Sequence, residues 1–224
     1  MKDLDLRNEL IRTVLKMNES GINQGTSGNA AVRVDDGYLI TPSGMAYEDI
    51  RPEDVVYKRI DGDYESPNGL RKPSSEWRFH EDIFVARDDV EAIVHTHGKA
   101  VMTIACMRKD VPAFHYMIGV TGGQTIRCAP YETFATQALS DVAVKALKGR
   151  KACLLANHGQ IAVGGNLKQA LSMALEVETL CEVYWRILSA GEPFVLNDSE
   201  MQEVLVKFNK GYGSGKAFVS ESQS

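Results

Sequence analysis

The sequence predicts an α/β domain of the α+β type, with helices flanking a central, mainly antiparallel sheet. Helical and strand-like segments interleave along the chain, and tight turns such as Asp35-Asp36-Gly37 join successive strand-like runs. Hairpins of this kind pair neighbouring strands antiparallel. The 224 residues, with ordinary apolar and charged fractions, suit a single domain with a sizeable core.

The first half of the chain contains a helix, a group of strands and a second helix. Apolar residues recur at helical spacing over residues 4–17, which predicts the first helix. Strand-like runs follow at residues 31–34, 38–41 and 55–60, each bounded by turn residues. A Lys-Pro-Ser-Ser segment then precedes an amphipathic helix over residues 76–87.

The second half repeats this alternation. The elements predicted there are strands at 91–97, 152–156 and 160–163 and helices at 100–106, 134–147 and 167–190. Ser199 and Gln202 have capping-box spacing and open a last helix. No domain boundary is visible, so residues 1–213 are expected to form one domain. A flexible tail is expected at residues 214–224, which are rich in Gly, Ser and Lys.

Charge and hydropathy exclude several classes of partner. The formal net charge of -5 argues against nucleic acid, which requires clustered Lys and Arg. No segment approaches the roughly 18 uninterrupted apolar residues of a membrane span. The charged amino terminus also lacks the apolar centre of a signal peptide. We therefore expect a cytoplasmic protein that binds neither nucleic acid nor membranes.

The histidines predict a metal site. His95 and His97 follow a short apolar run, and residues i and i+2 of a strand point to the same face. His158 stands in a similar strand-to-turn position, and three imidazoles suit an open site for a zinc-type ion. Glu76 is a candidate fourth ligand, although an acidic residue at a helix start also simply complements the helix dipole. Spacing alone does not choose between these two roles.

Three small, polar segments predict an anion site. Ser74 and Ser75 open a helix, where free N–H groups and hydroxyls can hold a phosphate or act as ordinary caps. Residues 25–29 and 41–44 are further turns that could bring backbone amides to an anion. Neither GxxxxGK[ST] nor GxGxxG occurs, which disfavours a nucleotide ligand.

The chain resembles the class II aldolase family over roughly residues 5–213, and seven segments in the expected order carry the resemblance. The matching segments are Asn23-Gln24-Gly25-Thr26-Ser27-Gly28-Asn29, Ile40-Thr41-Pro42-Ser43-Gly44, Pro73-Ser74-Ser75-Glu76-Trp77, Val94-His95-Thr96-His97, Phe114-His115-Tyr116-Met117-Ile118, Cys128-Ala129-Pro130-Tyr131 and Asn157-His158-Gly159. The resemblance implies the class II aldolase and adducin-head fold, assembled as a homotetramer with active sites between subunits.

The resemblance also implies the roles of individual residues. His95, His97, His158 and Glu76 would bind Zn²⁺, with Mn²⁺ and Co²⁺ as alternatives, and Glu76 would also be the general base. A phosphate pocket would be formed by Thr26, Asn29, Ser43, Gly44, Ser74 and Ser75. Tyr116 from a neighbouring subunit would act on the aldehyde half, and Tyr212 would close over the site.

The implied reaction is reversible cleavage of a ketose 1-phosphate into dihydroxyacetone phosphate and a short aldehyde, through a metal-stabilised enediolate. Gly98-Lys99 and residues 119–121 depart from the pattern of the members that cleave L-fuculose 1-phosphate. A 5-deoxypentulose or methylthiopentulose 1-phosphate is therefore an equally reasonable substrate.

Three alternatives share the fold. Pentulose-phosphate 4-epimerases resemble this chain but typically carry aspartate where Glu76 stands. Methylthioribulose-1-phosphate dehydratases keep the histidines and eliminate water. A non-catalytic binding protein like the adducin head would have no reason to keep the histidines and Glu76 together. Glu76 and the segment Phe114-His115-Tyr116-Met117 favour the aldolase.

Overall fold

The computed structural model describes residues 1–210 and confirms the mixed α/β class. The helices are α1 (Leu4–Glu19), α2 (Trp77–Ala86), α3 (Lys99–Cys106), α4 (Gln137–Leu147), α5 (Leu167–Ala190) and α6 (Asp198–Asn209). The strands are β1 (Asn29–Val34), β2 (Gly37–Ile40), β3 (Val56–Arg59), β4 (Tyr64–Glu65), β5 (Ala92–Thr96), β6 (Cys128–Ala129), β7 (Ala152–Leu155) and β8 (Gly159–Gly164). Short 3-10 segments lie at Tyr47–Asp49 and Tyr116–Thr121. The tail predicted at residues 214–224 lies outside the described residues.

The strands form one sheet in the order β4-β3-β2-β1-β5-β8-β7-β6. All neighbouring pairs are antiparallel except β6 and β7, which confirms the mainly antiparallel prediction. Strand β5 lies between β1 and β8, so that His95 is opposite Asn29 on one side and Ile161 on the other. The centre of the sheet thus presents side chains from three strands close together.

Helices cover both faces of the sheet. The core on one face joins α1, α3 and α5 to the sheet, whereas the core on the other face joins α2 and α4 to it. Alternation along β5 sends Val94 into the first core and Ile93 into the second. His95 has the parity of Ile93, and its ring lies 5.3 Å from that of Phe79 on α2. Helix α2 therefore faces the predicted ligands.

Two helix starts differ from the sequence-based prediction. Helix α4 begins later than residue 134, because Thr136 is its N-cap residue and its side chain accepts a hydrogen bond from the first turn. Helix α6 begins at Asp198, because the capping box pairs Asn197 with Glu200. The predicted box of Ser199 and Gln202 was wrong by two residues.

A buried ion pair fastens α2 to the sheet. The Lys58 Nζ atom lies 2.8 Å from Glu81 Oε2, and the two side chains are only 6% and 8% exposed. Lys58 also donates to the Gly62 carbonyl at 2.8 Å, and the Tyr38 hydroxyl donates to Glu81 Oε2 at 3.3 Å. These hydrogen bonds satisfy both charges in a region where an unpaired ion would be costly.

Within residues 1–210, no helix has the length and apolar character needed to cross a membrane.

We expect Glu81→Gln to lower the free energy of unfolding by about 3 kcal/mol, because it leaves the Lys58 ammonium buried without its anion. Urea unfolding at a fixed protein concentration measures the change. Replacing both partners with Lys58→Met and Glu81→Leu should recover most of the loss. The exposed pair of Arg186 and Glu182 provides the control, since Arg186→Gln should leave stability nearly unchanged. An equally small effect of Glu81→Gln would contradict the anchoring role.

Candidate metal centre and substrate cavity

Four side chains from three separate parts of the sequence meet at one end of the central strands. One potential ligand atom each of Glu76, His95, His97 and His158 lies within 4.8 Å of all the others. His95 lies in β5, and His97 comes directly after the end of that strand. His158 lies in the turn between β7 and β8, and Glu76 is the N-cap residue of α2. The three imidazole centroids are 4.7 to 4.9 Å apart.

The local backbone explains how His158 reaches the other two histidines. Asn157 has a φ of 54°, in the left-handed region that asparagine tolerates in tight turns. A Cβ atom on Gly159 would lie 2.4 Å from the Thr96 carbonyl oxygen and 2.7 Å from a ring carbon of His97. Only glycine allows this close approach, which brings the β7–β8 turn against the end of β5.

The hydrogen bonds show that the four side chains fit a cation. The His95 Nδ1 atom lies 2.8 Å from the Gln160 carbonyl oxygen, which only accepts, so Nδ1 carries the proton and Nε2 presents a lone pair. That lone pair faces Glu76 Oε2 at 3.2 Å and His97 Nε2 at 2.8 Å. Buried Glu76 Oε1 also lacks a properly oriented hydrogen-bond donor. Converging acceptors of this type, three imidazoles and a carboxylate, suit a divalent metal ion.

The electrostatic environment favours the ligating forms of these groups. Burial alone would raise the pKa of Glu76, but in the metal-free cluster with protonated imidazoles the charge of His95 and the hydrogen bonds from His158 and His95 outweigh burial and hold this pKa below its usual value. Burial, followed by the charges of His95 and His158, lowers the pKa of His97 to about 3. Glu76 is therefore ionised and His97 neutral near neutral pH, as metal ligation requires.

A cavity of about 470 Å³ opens beside this centre. It is lined by Thr26, Ser27, Gly28, Pro42, Ser43, Gly44, Ser74, Ser75, Glu76, His97, Tyr131, Glu132, Phe134, Asn157 and His158. Five of the six residues predicted to hold phosphate are among them, and the exception is Asn29. The anion-site segments and the ligand cluster thus belong to one cavity.

Backbone hydrogen bonds hold two of the small-residue segments side by side. Ser74 N donates to the Thr41 carbonyl at 2.9 Å, and Ser43 N donates to the Lys72 carbonyl at 3.0 Å. Gly44 has a φ of 66°, so the turn requires the left-handed conformation there. The buried Ser74 hydroxyl accepts from Glu76 N at 3.4 Å, whereas Ser75 is exposed in the cavity.

Asn29 does not line the cavity but contacts the metal centre. Its side chain is buried, and its Nδ2 atom donates to Glu76 Oε2 at 3.0 Å. Its Oδ1 atom lies 2.5 Å from Nε2 of the buried His80. Burial and the charge of His95 lower the pKa of His80 to about 3, so this imidazole is neutral. No local pattern in the sequence predicts these contacts, because they join residues 47 and 51 positions apart.

The cavity rim includes aromatic residues for which no role was predicted. Tyr131 and Phe134 are 50% and 65% exposed. Arg108 lies 5.6 Å from the centre of the Tyr131 ring, and its Nε atom donates to Asn157 Oδ1 at 2.6 Å. No periodicity or motif identifies such a rim, because it depends on three separate loops meeting.

The structure describes one of the two tyrosines that the family resemblance assigns to the site. Tyr116 begins a 3-10 segment, is 44% exposed, and stacks on Phe208 with their ring centres 6.5 Å apart. It is absent from the described residues that line the cavity of its own chain. Tyr212 lies beyond the described part of the chain, so its role stays a prediction.

Comparison with known proteins defines the class. A model of the class II aldolase and adducin N-terminal domain family matches residues 8–185, and the chain belongs to this family. The resemblance seen in the sequence motifs is thereby confirmed.

Particular members are similar over nearly their whole length. A 5-methylthioribulose-1-phosphate/5-deoxyribulose-1-phosphate aldolase of Rhodospirillum rubrum is 50% identical over 208 residues, which are 93% of this chain and 92% of that protein. The L-fuculose phosphate aldolase of Escherichia coli K12 is 46% identical over 209 residues, 93% of this chain and 95% of that protein. A solved structure of an L-fuculose 1-phosphate aldolase superposes with a TM-score of 0.87 at 40% identity, covering 92% of this chain and 96% of that one.

We expect His97→Ala to reduce bound divalent metal by at least about tenfold at a limiting metal concentration, because it removes one of four converging ligands. Elemental analysis after equilibrium dialysis measures the metal content. His115→Ala is the matched control, since His115 is exposed and outside the cluster. Equal metal content in the two variants would exclude the cluster as the binding site.

Proposed function

We propose that this protein is a metal-dependent aldolase that reversibly cleaves a ketose 1-phosphate to dihydroxyacetone phosphate and a short aldehyde. The observation that carries the proposal is the buried carboxylate of Glu76 among three imidazoles, facing a cavity built from Ser- and Gly-rich turns. A metal centre and an anion site within one small cavity suit a phosphorylated substrate. The relatives named as aldolases support the same chemistry.

The proposed substrate is a 5-deoxypentulose or 5-methylthiopentulose 1-phosphate, with L-fuculose 1-phosphate as the second choice. The relative at 50% identity is named for the first two compounds, and another at 46% is named for the third. Tyr131 and Phe134 support this order, because exposed aromatic rings at the rim can pack against an apolar methyl or methylthio group.

The proposed metal is Zn²⁺, with Mn²⁺ or Co²⁺ as alternatives, held by His95, His97, His158 and Glu76. When bound, such an ion polarises the substrate carbonyl and stabilises the negative charge that develops during carbon–carbon cleavage. The ligand types favour a borderline ion over Mg²⁺ or Ca²⁺, which prefer all-oxygen sites.

The chain's own residues would position substrate and move protons. Ser43, Gly44 and Ser75, with neighbouring backbone amides, would hold the phosphate in place. The Glu76 carboxylate would return a proton to the reacting carbon after cleavage and remove it in the reverse reaction, since Glu76 lines the cavity beside the metal ligands. The role of Asn29 in this phosphate pocket would be indirect, because both polar atoms of its side chain are engaged elsewhere.

The proposed assembly is a cytoplasmic homotetramer with active sites between subunits. An exposed Tyr116 that does not line its own cavity supports this arrangement, because the aldehyde half then requires a proton-transferring group from another subunit. Residues 1–213 would form the catalytic domain, and Tyr212 would close over the site.

The function is tested by product analysis of the metal-loaded protein with the three ketose 1-phosphates. We expect release of dihydroxyacetone phosphate that chelator abolishes and added Zn²⁺ restores. An epimerised or dehydrated product would instead indicate one of the sister activities. Metal binding without turnover of any of these substrates would favour a binding protein.

We expect Glu76→Gln to retain the fold and most of the bound metal but to lower kcat by about 10² to 10⁴-fold, because the amide cannot accept the carbon-bound proton. Exchange of that proton of dihydroxyacetone phosphate with deuterated water, followed by NMR, isolates this step. Exchange at the wild-type rate would refute the assignment of Glu76 as the base.

A further inference from the structure

A chain of buried polar side chains connects Glu76 to Asn29 and His80, neither of which lines the cavity. His80 is 0% exposed, Asn29 is 2% exposed and Glu76 is 6% exposed. Asn29 connects the other two through both atoms of its amide, at 2.5 Å to His80 and 3.0 Å to Glu76. Strand β1 supplies Asn29, whereas α2 supplies His80 and begins just after Glu76.

The chemistry of the atoms fixes the direction of these hydrogen bonds. An ionised carboxylate only accepts, so Asn29 must present its NH₂ group to Glu76 and its carbonyl oxygen to His80. That carbonyl oxygen also only accepts, so His80 Nε2 must carry the ring proton. If the amide were rotated by half a turn, its oxygen would face the carboxylate, and the hydrogen bond to Glu76 would be replaced by repulsion.

In this arrangement His80 contributes little to the stability of the fold. Its second nitrogen, Nδ1, is buried and has no hydrogen-bond partner. A buried polar atom without a partner costs stability, and an apolar side chain of similar size would avoid this cost at that atom. The contribution of the imidazole is therefore its single N–H group, directed at Asn29.

We propose that His80 is a positioning residue, which acts through Asn29 to fix the orientation of the Glu76 carboxylate in the metal centre. With Oε2 held by the Asn29 amide, Oε1 faces His158 at 3.2 Å and has no properly oriented donor of its own. One carboxylate oxygen is thus fixed by the protein, and the other remains available to metal or substrate. The inference rests on the proposed function for its kinetic consequence but not for its effect on metal binding.

The test compares His80→Met with His80→Gln. Methionine fills a similar space without a donor, whereas the amide nitrogen of glutamine can take the place of Nε2–H. We expect His80→Met to lower kcat by about 10 to 100-fold and to weaken Co²⁺ binding, measured by the visible spectrum, with KM changed much less. His80→Gln should recover most of the lost kcat and most of the lost Co²⁺ affinity. Urea unfolding should change little in His80→Met, because one partnerless buried atom replaces another.

A double-variant cycle tests whether His80 acts through Asn29. If it does, adding His80→Met to Asn29→Ala should cause no further loss of kcat or Co²⁺ affinity beyond that of Asn29→Ala alone. If the losses of the two single variants instead multiply in the double variant, His80 does not act through Asn29. The positioning role itself is overturned if His80→Met binds Co²⁺ and turns over like wild type, or if His80→Gln shows no recovery.

Failure of the proposed function would be visible separately. A wild-type protein that binds Co²⁺ but cleaves none of the three ketose 1-phosphates would refute the aldolase assignment. The Co²⁺ affinities of His80→Met and His80→Gln would still decide the positioning role, since they do not depend on turnover.

Discussion

Glu76 carries an ionised carboxylate that is 6% exposed, and the arrangement of the site follows from the need to compensate that charge. His95 and His158 approach it at 3.2 Å, and the amide of Asn29 donates to it. Each of these partners belongs to a different strand or turn, so the carboxylate fixes the mutual position of β1, β5 and the β7–β8 turn. The same geometry directs three imidazoles at one point. The contacts that compensate the charge of Glu76 are therefore also the contacts that form the metal site.

The sheet order provides the framework for this solution. Strand β5 lies between β1 and β8, and the alternation of side chains puts His95 on the face covered by α2. Helix α2 then brings Glu76 to the same point from its amino-terminal end, while the buried pair of Lys58 and Glu81 holds the helix against β3. A site built on regular elements is held more accurately than one built on loops alone. Loops contribute mainly the anion-binding turns and the aromatic rim.

The sequence predicted those parts of the site that depend on local geometry. His95 and His97 could be paired because strand periodicity determines their direction, and the bounds of α5 were predicted correctly from periodicity and its end signals. Glu76 could be placed beside the histidines only through family resemblance, since a residue at a helix start has an equally ordinary local role. The contact of Asn29 with His80 spans 51 positions, and no local rule relates two such residues. The start of α6 was missed because two overlapping capping patterns occur there.

Helix α2 shows why the remaining features resist local reasoning. It is 10 residues long, yet two polar residues within it, His80 and Glu81, are buried, as is Glu76 at its N-cap. A pattern optimised for stability alone would place apolar residues at these positions. Each of the three polar groups instead has partners on other elements: Glu81 anchors the helix, His80 orients Asn29, and Glu76 reaches the metal centre. Glu81 of the anchoring pair directly follows His80 in α2. Any shift of α2 along the sheet would therefore disturb the ion pair and the site together. The stability of this helix and the accuracy of the site are therefore expected to depend on the same few buried hydrogen bonds.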